Sequence, residues 1–205
     1  MKNLKFIFLA LGCIAALSLT SCLSSDDDEN TGLSKAEKDQ CFAAVRGSYT
    51  GKFLYQTRDT KNPIDTIDVS WSIGADTMLV LRPFPAKAVA EQVYDIDLRE
   101  ALLEQAYMSE LKCYLGFYRY DTEVEFLLAP VKIDIPVSYK DKTHTLSVYF
   151  WTDYSYGYKN TSSGAMEAQL VMAGAYLDGN ENTNYINNSS SGLATIKMIF
   201  STLIK

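Results

Sequence analysis

Residues 131–150 read VKIDIPVSYKDKTHTLSVYF. Val131, Ile133, Ile135, Val137 and Tyr139 recur at every second position, Lys140-Asp141-Lys142 supplies a polar turn, and Leu146, Val148 and Phe150 resume the alternation. A period of two collects the apolar side chains on one face of a strand, so this stretch predicts an antiparallel hairpin half-buried against a core. Pro136 has no N–H to give and directs the first strand to an edge or a bulge.

The same period extends in both directions. Upstream, Tyr49, Gly51, Phe53 and Tyr55 alternate with polar neighbours, as do Ile67, Val69, Trp71 and Ile73, and the intervening TRDTKNP of residues 57–63 is rich in turn formers. Residues 78–81 predict a third strand that Pro83 and Pro85 stop, and residues 113–120 and Val124-x-Phe126-x-Leu128 predict two more. Downstream, Met166, Ala168, Leu170, Met172 and Tyr176 form one inward row, and Ala194, Ile196, Met198, Phe200 and Ile204 the last. Residues 178–192, DGNENTNYINNSSSG, are polar and Asn-rich and predict a mobile surface loop.

Helical spacing occurs in two places. Ser34-Lys35-Ala36-Glu37 has the capping-box pattern and starts a helix over 35–46 with Cys41, Ala44 and Val45 inward and Gly47 beyond its end. Residues 86–106 carry two short amphipathic segments broken near Asp95. The chain therefore predicts one mainly β domain over residues 34–205. Its eight to nine strands close as a single antiparallel β-barrel or fold as a sandwich, because an apolar strand face must be hidden. The pattern alone does not separate the two.

The 205 residues are 47% hydrophobic, enough for a core, and 19 basic against 25 acidic side chains leave a net charge of −6, which argues against nucleic-acid partners. Lys2 and Lys5 precede an apolar run over residues 6–19, too short for the roughly 20 residues that span a bilayer, so residues 1–21 read as a signal peptide. Leu19-Thr20-Ser21-Cys22 resembles a bacterial lipobox, which implies diacylation of Cys22 and cleavage ahead of it. Acyl chains contribute about 0.8 kcal/mol per buried CH2, so two or three of them hold the membrane stably. Residues 22–33 then form an anchor and acidic tether whose Asp26-Asp27-Asp28-Glu29 resembles the export signal that sends lipoproteins of Bacteroidota to the outer face of the outer membrane. The spacing of a calcium loop is missing there. In an oxidising envelope Cys41 and Cys113 are either a disulfide or two buried thiols.

The order of lipobox, acidic tether, capped helix and Cys41-Phe42-x-x-Val45-x-Gly47-x-Tyr49-x-Gly51 resembles uncharacterised Bacteroidales lipoproteins classed as a domain of unknown function. Gly47-x-Tyr49 at the entry of the first strand is similar to the lipocalin Gly-x-Trp entry, with Tyr in place of Trp, which implies a calycin-like barrel. Asp65-Thr66-Ile67 and Asp76-Thr77-Met78 resemble the motif at which Bacteroidota O-glycosylate exported proteins.

Chemistry-bearing patterns are sparse. His144 is the only histidine, and no phosphate loop, Cys-x-x-Cys or His-Glu-x-x-His occurs, so neither a cofactor nor a metal is expected. A hydrolase needing two carboxylates has Asp65/Asp68, Asp95/Asp97 and Glu123/Glu125 to draw on. The aromatic run 149–158, YFWTDYSYGY, offers Tyr149, Trp151, Tyr154, Tyr156 and Tyr158 as candidate ligand-binding residues, because flat rings with polar tips bind sugars or proteins at small entropic cost. The expectation is a lipid-anchored, non-enzymatic, ligand- or partner-binding module. A glycan-active hydrolase and a structural subunit of an outer-membrane complex are the alternatives, the latter requiring a large exposed apolar patch.

Overall fold

The structure is a computed structural model that describes residues 32–105, 109–186 and 197–203. The signal peptide, Cys22, the acidic run, residues 187–196 and Ile204 lie outside them. The fold described below belongs to a compact unit that begins at Leu33.

Helix α1 (Lys35–Val45) starts as its capping box dictates: Ser34 Oγ accepts from the Glu37 N–H, and the Glu37 carboxylate accepts from the Ser34 N–H at 2.8 Å. Ten strands are described: β1 (Gly47–Gln56), β2 (Ile64–Ile73), β3 (Met78–Phe84), β4 (Ser109–Tyr120), β5 (Glu123–Pro130), β6 (Ile133–Tyr139), β7 (Lys142–Phe150), β8 (Tyr156–Asn160), β9 (Met166–Leu177) and β10 (Lys197–Ser201). Helices α2 (Ala86–Ala90) and α3 (Ile96–Leu103) fall between β3 and β4.

The barrel alternative is the one realised. Antiparallel pairing runs β10-β1-β2-β3-β4-β5-β8-β9, and β9 pairs back to β10, so eight strands close on themselves and no edge is left in the ring. Closure brings β10 so near β1 that a Cβ on Gly51 would lie 2.0 Å from the Ser201 carbonyl oxygen, so only glycine fits there. The far half of β9 leaves the ring and pairs with β7, which pairs with β6. In the β6–β7 hairpin, Lys140 and Asp141 both adopt positive φ (50° and 59°), as a two-residue type I′ turn requires.

Side chains fill the barrel. Phe53, Tyr55, Trp71, Phe84, Phe126 and Phe200 are each at most 2% exposed, with edge-to-face contacts between Phe53 and Phe84 and between Trp71 and Phe200. Burying each such ring contributes roughly 1.5–3 kcal/mol. At one end, Lys159 Nζ donates to the Ala44 carbonyl (2.7 Å) and to Tyr49 Oη (3.0 Å), placing a cation on the C-terminal carbonyls of α1. The Tyr49 hydroxyl donates to the Val45 carbonyl, and its ring stacks on Trp71. At the opposite end, the Arg58 guanidinium donates to the carbonyls of Glu91 and Val93.

One expectation needs correction. Of the segment 178–192, residues 178–186 are packed and are not a mobile polar loop, while residues 187–192 lie outside the described residues. Ile186 is 3% exposed and bridges Val93, Tyr185 stacks on Tyr94 (5.8 Å, 12°), and Asn184 Oδ1 accepts from the Ala175 and Ile186 N–H groups. Two apolar side chains and one amide suffice to fasten it. β8 begins in the aromatic run 149–158 and is not among the strands read from the alternation: its inward position is Gly157, where a Cβ would lie 2.7 Å from the Phe126 ring. Phe126 fills the space that an apolar β8 side chain would otherwise mark.

Candidate functional site

β8 lies between β5 and β9, and its short pairing carries the candidate tyrosines onto the outer wall of the barrel. Three rows cross the strands there by register. Gly116 on β4 pairs with Leu127 on β5, Leu127 with Tyr156 on β8, and Tyr156 with Gln169 on β9. One step toward the α1 end, Arg119 pairs with Glu125, Glu125 with Tyr158, and Tyr158 with Glu167. On the other side Tyr114 pairs with Ala129. A β-bulge between Phe117 and Arg119 leaves Tyr118 without a register partner on β5 and brings Arg119 opposite Glu125, so both Tyr118 and Arg119 face outward.

The wall is exposed and largely aromatic. Tyr114 is 55% exposed, Tyr118 47%, Leu127 43%, Tyr156 43% and Tyr154 41%. At its centre Gly116 leaves a notch, since a Cβ built there meets only Leu127 Cβ, at 4.0 Å. Polar groups stand at two sides of the wall: on the row toward α1 Glu125 Oε1 accepts from Arg119 Nη1 (2.7 Å), and at the β9 side Gln169 Nε2 donates to the Tyr154 carbonyl (3.0 Å). Burial first, then the Glu125 carboxylate, pushes the Tyr118 phenol up, and burial with Glu167 and Glu123 does the same to Tyr158. Both phenols stay neutral donors near neutral pH.

Ser155 sets the position of this wall. Its buried hydroxyl donates to the Trp151 carbonyl (2.7 Å) and accepts from the Val171 N–H (3.1 Å), while its own carbonyl accepts from the Leu128 N–H (2.9 Å). One residue thus ties β5, the 3-10 turn Thr152–Tyr154 and β9 together.

Of the candidates read from the sequence, Tyr154, Tyr156 and Tyr158 join this wall, and Trp151 lies edge-on to Tyr154 at 6.5 Å. Tyr149 stands apart on β7, edge-on to Tyr176 at 5.7 Å. Tyr114, Tyr118 and Leu127 were not singled out from the sequence, although the alternation Tyr114-x-Gly116-x-Tyr118-x-Tyr120 opposite Leu115 and Phe117 carries the signal.

The remaining chemistry-bearing residues are engaged elsewhere. His144 Nδ1 pairs with Asp178 Oδ2 at 2.5 Å and its ring meets Tyr139. Cys41 and Cys113 are buried free thiols. Cys41 Sγ lies 3.9 Å from the Arg119 carbonyl, and burial pushes the Cys113 thiol far up, away from the thiolate that a nucleophile needs. Asp65 is held by Lys87 and Tyr55, Asp68 by Lys52, and Asp95 caps α3 while accepting from Tyr139. The carboxyl groups with a displaced pKa, Glu37, Asp59, Asp65, Glu110, Asp134 and Asp178, are displaced downward, the opposite of what a general acid requires. No group of three or more His, Cys, Asp or Glu side chains among the described residues is placed to hold a metal, and no described helix is long and apolar enough to cross a membrane. Thr66 and Thr77, of the two Asp-Thr-aliphatic stretches, are both exposed.

Away from this wall an open groove of about 510 Å³ lies on β1 and β2 and is lined by Thr50, Lys52, Asp68, Ser70, Pro83 and Thr202. The Lys52–Asp68 ion pair (2.6 Å) sits in it, and no aromatic side chain lines it.

No curated protein and no solved structure matches this chain. Residues 44–177, from the last turn of α1 to the end of β9, match DUF4840, a domain of unknown function, and the chain belongs to that family.

Proposed function

We propose that this protein is a lipid-anchored lipoprotein of the outer membrane, displayed at the cell surface of a member of the Bacteroidota, whose barrel is a non-enzymatic binding module. The anchor reading rests on the order of basic flank, apolar run, lipobox and acidic tether, ending in acylation at Cys22. The binding reading rests on one observation: exposed Tyr114, Tyr118 and Tyr156 with Leu127 share one wall across three neighbouring strands, with exposed Tyr154 just before β8 in the 3-10 turn. A single exposed tyrosine is ordinary, whereas an aromatic face with a notch and a polar edge matches what a ligand site needs.

A saccharide is the ligand this wall suits best. A pyranose ring stacks its C–H face on an aromatic plane and offers its hydroxyls to groups such as Glu125, Arg119 and Gln169 at the rim. The test is equilibrium binding of the full-length chain, extracted in mild detergent, to immobilised oligosaccharides, repeated with Tyr114, Tyr118 and Tyr156 changed together to Ala. Binding lost with an unchanged melting temperature supports the site. Undiminished binding in the triple variant removes it. Retention of an envelope protein instead of any sugar, released by the same three changes, would establish the assembly-subunit reading.

A further inference from the structure

The saccharide reading leaves open what kind of sugar the wall accepts, and its charges narrow that choice. Glu123, Glu125 and Glu167 surround Tyr158, since the Tyr158 phenol senses both Glu123 and Glu167 while its register partners are Glu125 and Glu167. Arg119 is the cation on these rows, and its guanidinium is already bound to Glu125 at 2.7 Å. The neighbouring basic groups are committed elsewhere: Lys159 Nζ is tied to the Ala44 carbonyl and Tyr49, and Lys112, two positions before Tyr114, is held by Glu110 at 2.9 Å.

Resting on that reading, we infer that the notch at Gly116 takes an uncharged saccharide, and that Glu125, presented by Arg119 and Tyr118, is its specificity-determining residue. An ionised carboxylate is acceptor-only and has about four lone-pair directions. Arg119 occupies one and the Tyr118 hydroxyl faces the group, which leaves acceptor capacity beside the notch for sugar hydroxyl donors. A hydroxyl pair satisfies it. A uronate or sulfate in the same place brings a further negative charge against three carboxylates that are faced, among the described residues of these rows, by the single cation Arg119, which Glu125 already holds, and like-charge juxtaposition opposes binding. The bulge after Phe117 puts Tyr118 and Arg119, adjacent in sequence, on the same outer face, where both reach Glu125.

The experiment uses the full-length chain and two sets of probes: neutral hexose oligosaccharides, and the same chains carrying C6 carboxylate or 6-sulfate groups. The wild type is expected to bind a neutral chain about tenfold or more tighter than its charged counterpart, and added salt should narrow the gap because the wall is exposed and salt shortens the Debye length below its roughly 8 Å at physiological ionic strength. Glu125→Gln keeps shape and one acceptor but removes the charge, so it should cut the discrimination several-fold. Gly116→Trp fills the notch, where a Cβ meets only Leu127 Cβ at 4.0 Å, and should abolish binding with the melting temperature retained. If it does not fold, Tyr156→Ala replaces it. Equal or tighter binding of the charged chains overturns this inference and leaves the saccharide reading standing. Failure of every sugar to bind, or binding indifferent to the filled notch, overturns both.

Discussion

Replacing Ser155 with Ala tests whether one buried hydroxyl fixes the tyrosine wall. Ser155 is fully buried, and its Oγ makes two hydrogen bonds, to the Trp151 carbonyl at 2.7 Å and from the Val171 N–H at 3.1 Å. Alanine leaves both backbone groups in place with nothing to answer them. Each unsatisfied buried polar group costs about 1–3 kcal/mol, so the variant should lose about 2–6 kcal/mol. For a domain of this size 1 kcal/mol is about 2–4 °C, which places the fall in melting temperature at about 4–24 °C. Urea unfolding should show a lower midpoint with the slope kept, since the surface exposed on unfolding is unchanged. Ser70 provides the comparison: its hydroxyl also donates to a carbonyl, that of Arg82 at 2.8 Å, but on the solvent face, where loss should stay within about 0.5 kcal/mol. Fluorescence adds a local readout, because Trp151 is one of only two tryptophans and Trp71 is buried in the barrel. A loss under about 0.5 kcal/mol for Ser155→Ala, with Trp151 emission unmoved, would refute the claim that this residue ties β5, the 3-10 turn and β9 together.

Other substitutions probe closure, turn and titration. Gly51→Ala should destabilise by about 3 kcal/mol or more because its Cβ meets the Ser201 carbonyl oxygen, while Gly116→Ala should change stability little; denaturant titration of both checks the contrast. Asp141→Gly relieves a left-handed backbone costing about 1–2 kcal/mol, less the added chain entropy of glycine, so a melting temperature raised by a few degrees is expected. Asp65, held by Lys87 and Tyr55, is lowered to about 2, so its stabilising contribution is complete above the unfolded carboxyl value near 4 and disappears as pH falls through 2. Asp65→Asn should flatten stability in that acid window. Tyr55, raised by burial and by Asp65 to about 12, ionises first in the unfolded chain, so stability should fall between pH 10 and 12, and Tyr55→Phe should remove that slope.

Local order was legible in the sequence where local rules govern it. The Ser34–Glu37 capping box, the Lys140-Asp141 turn and the alternation of β1, β2, β6 and β7 each depend on residues a few positions apart. Barrel closure was not legible, because it joins Lys52 to Ser201 and Glu167 to Ser201, and no local pattern names a partner so far along the chain. β8 was concealed by Gly157 under Phe126, and the packed segment after β9 by a composition in which only Tyr185 and Ile186 are apolar. The candidate site was half visible. Tyr154, Tyr156 and Tyr158 advertise themselves as a run, whereas Tyr114, Tyr118 and Leu127 join them only once register sets β4, β5 and β8 side by side. Tyr149, adjacent to the run in sequence, goes to the smaller sheet because β7 pairs with the far half of β9.

Backbone amide shifts of the isotope-labelled protein, followed while neutral oligosaccharide is added, test the proposed wall most directly. The amides of Gly116, Leu127, Tyr156 and Gln169 should move together and saturate with one dissociation constant. Shifts confined to the Lys52–Asp68 groove or to the Tyr94–Tyr185 end, or a spectrum that does not move at all, would contradict it.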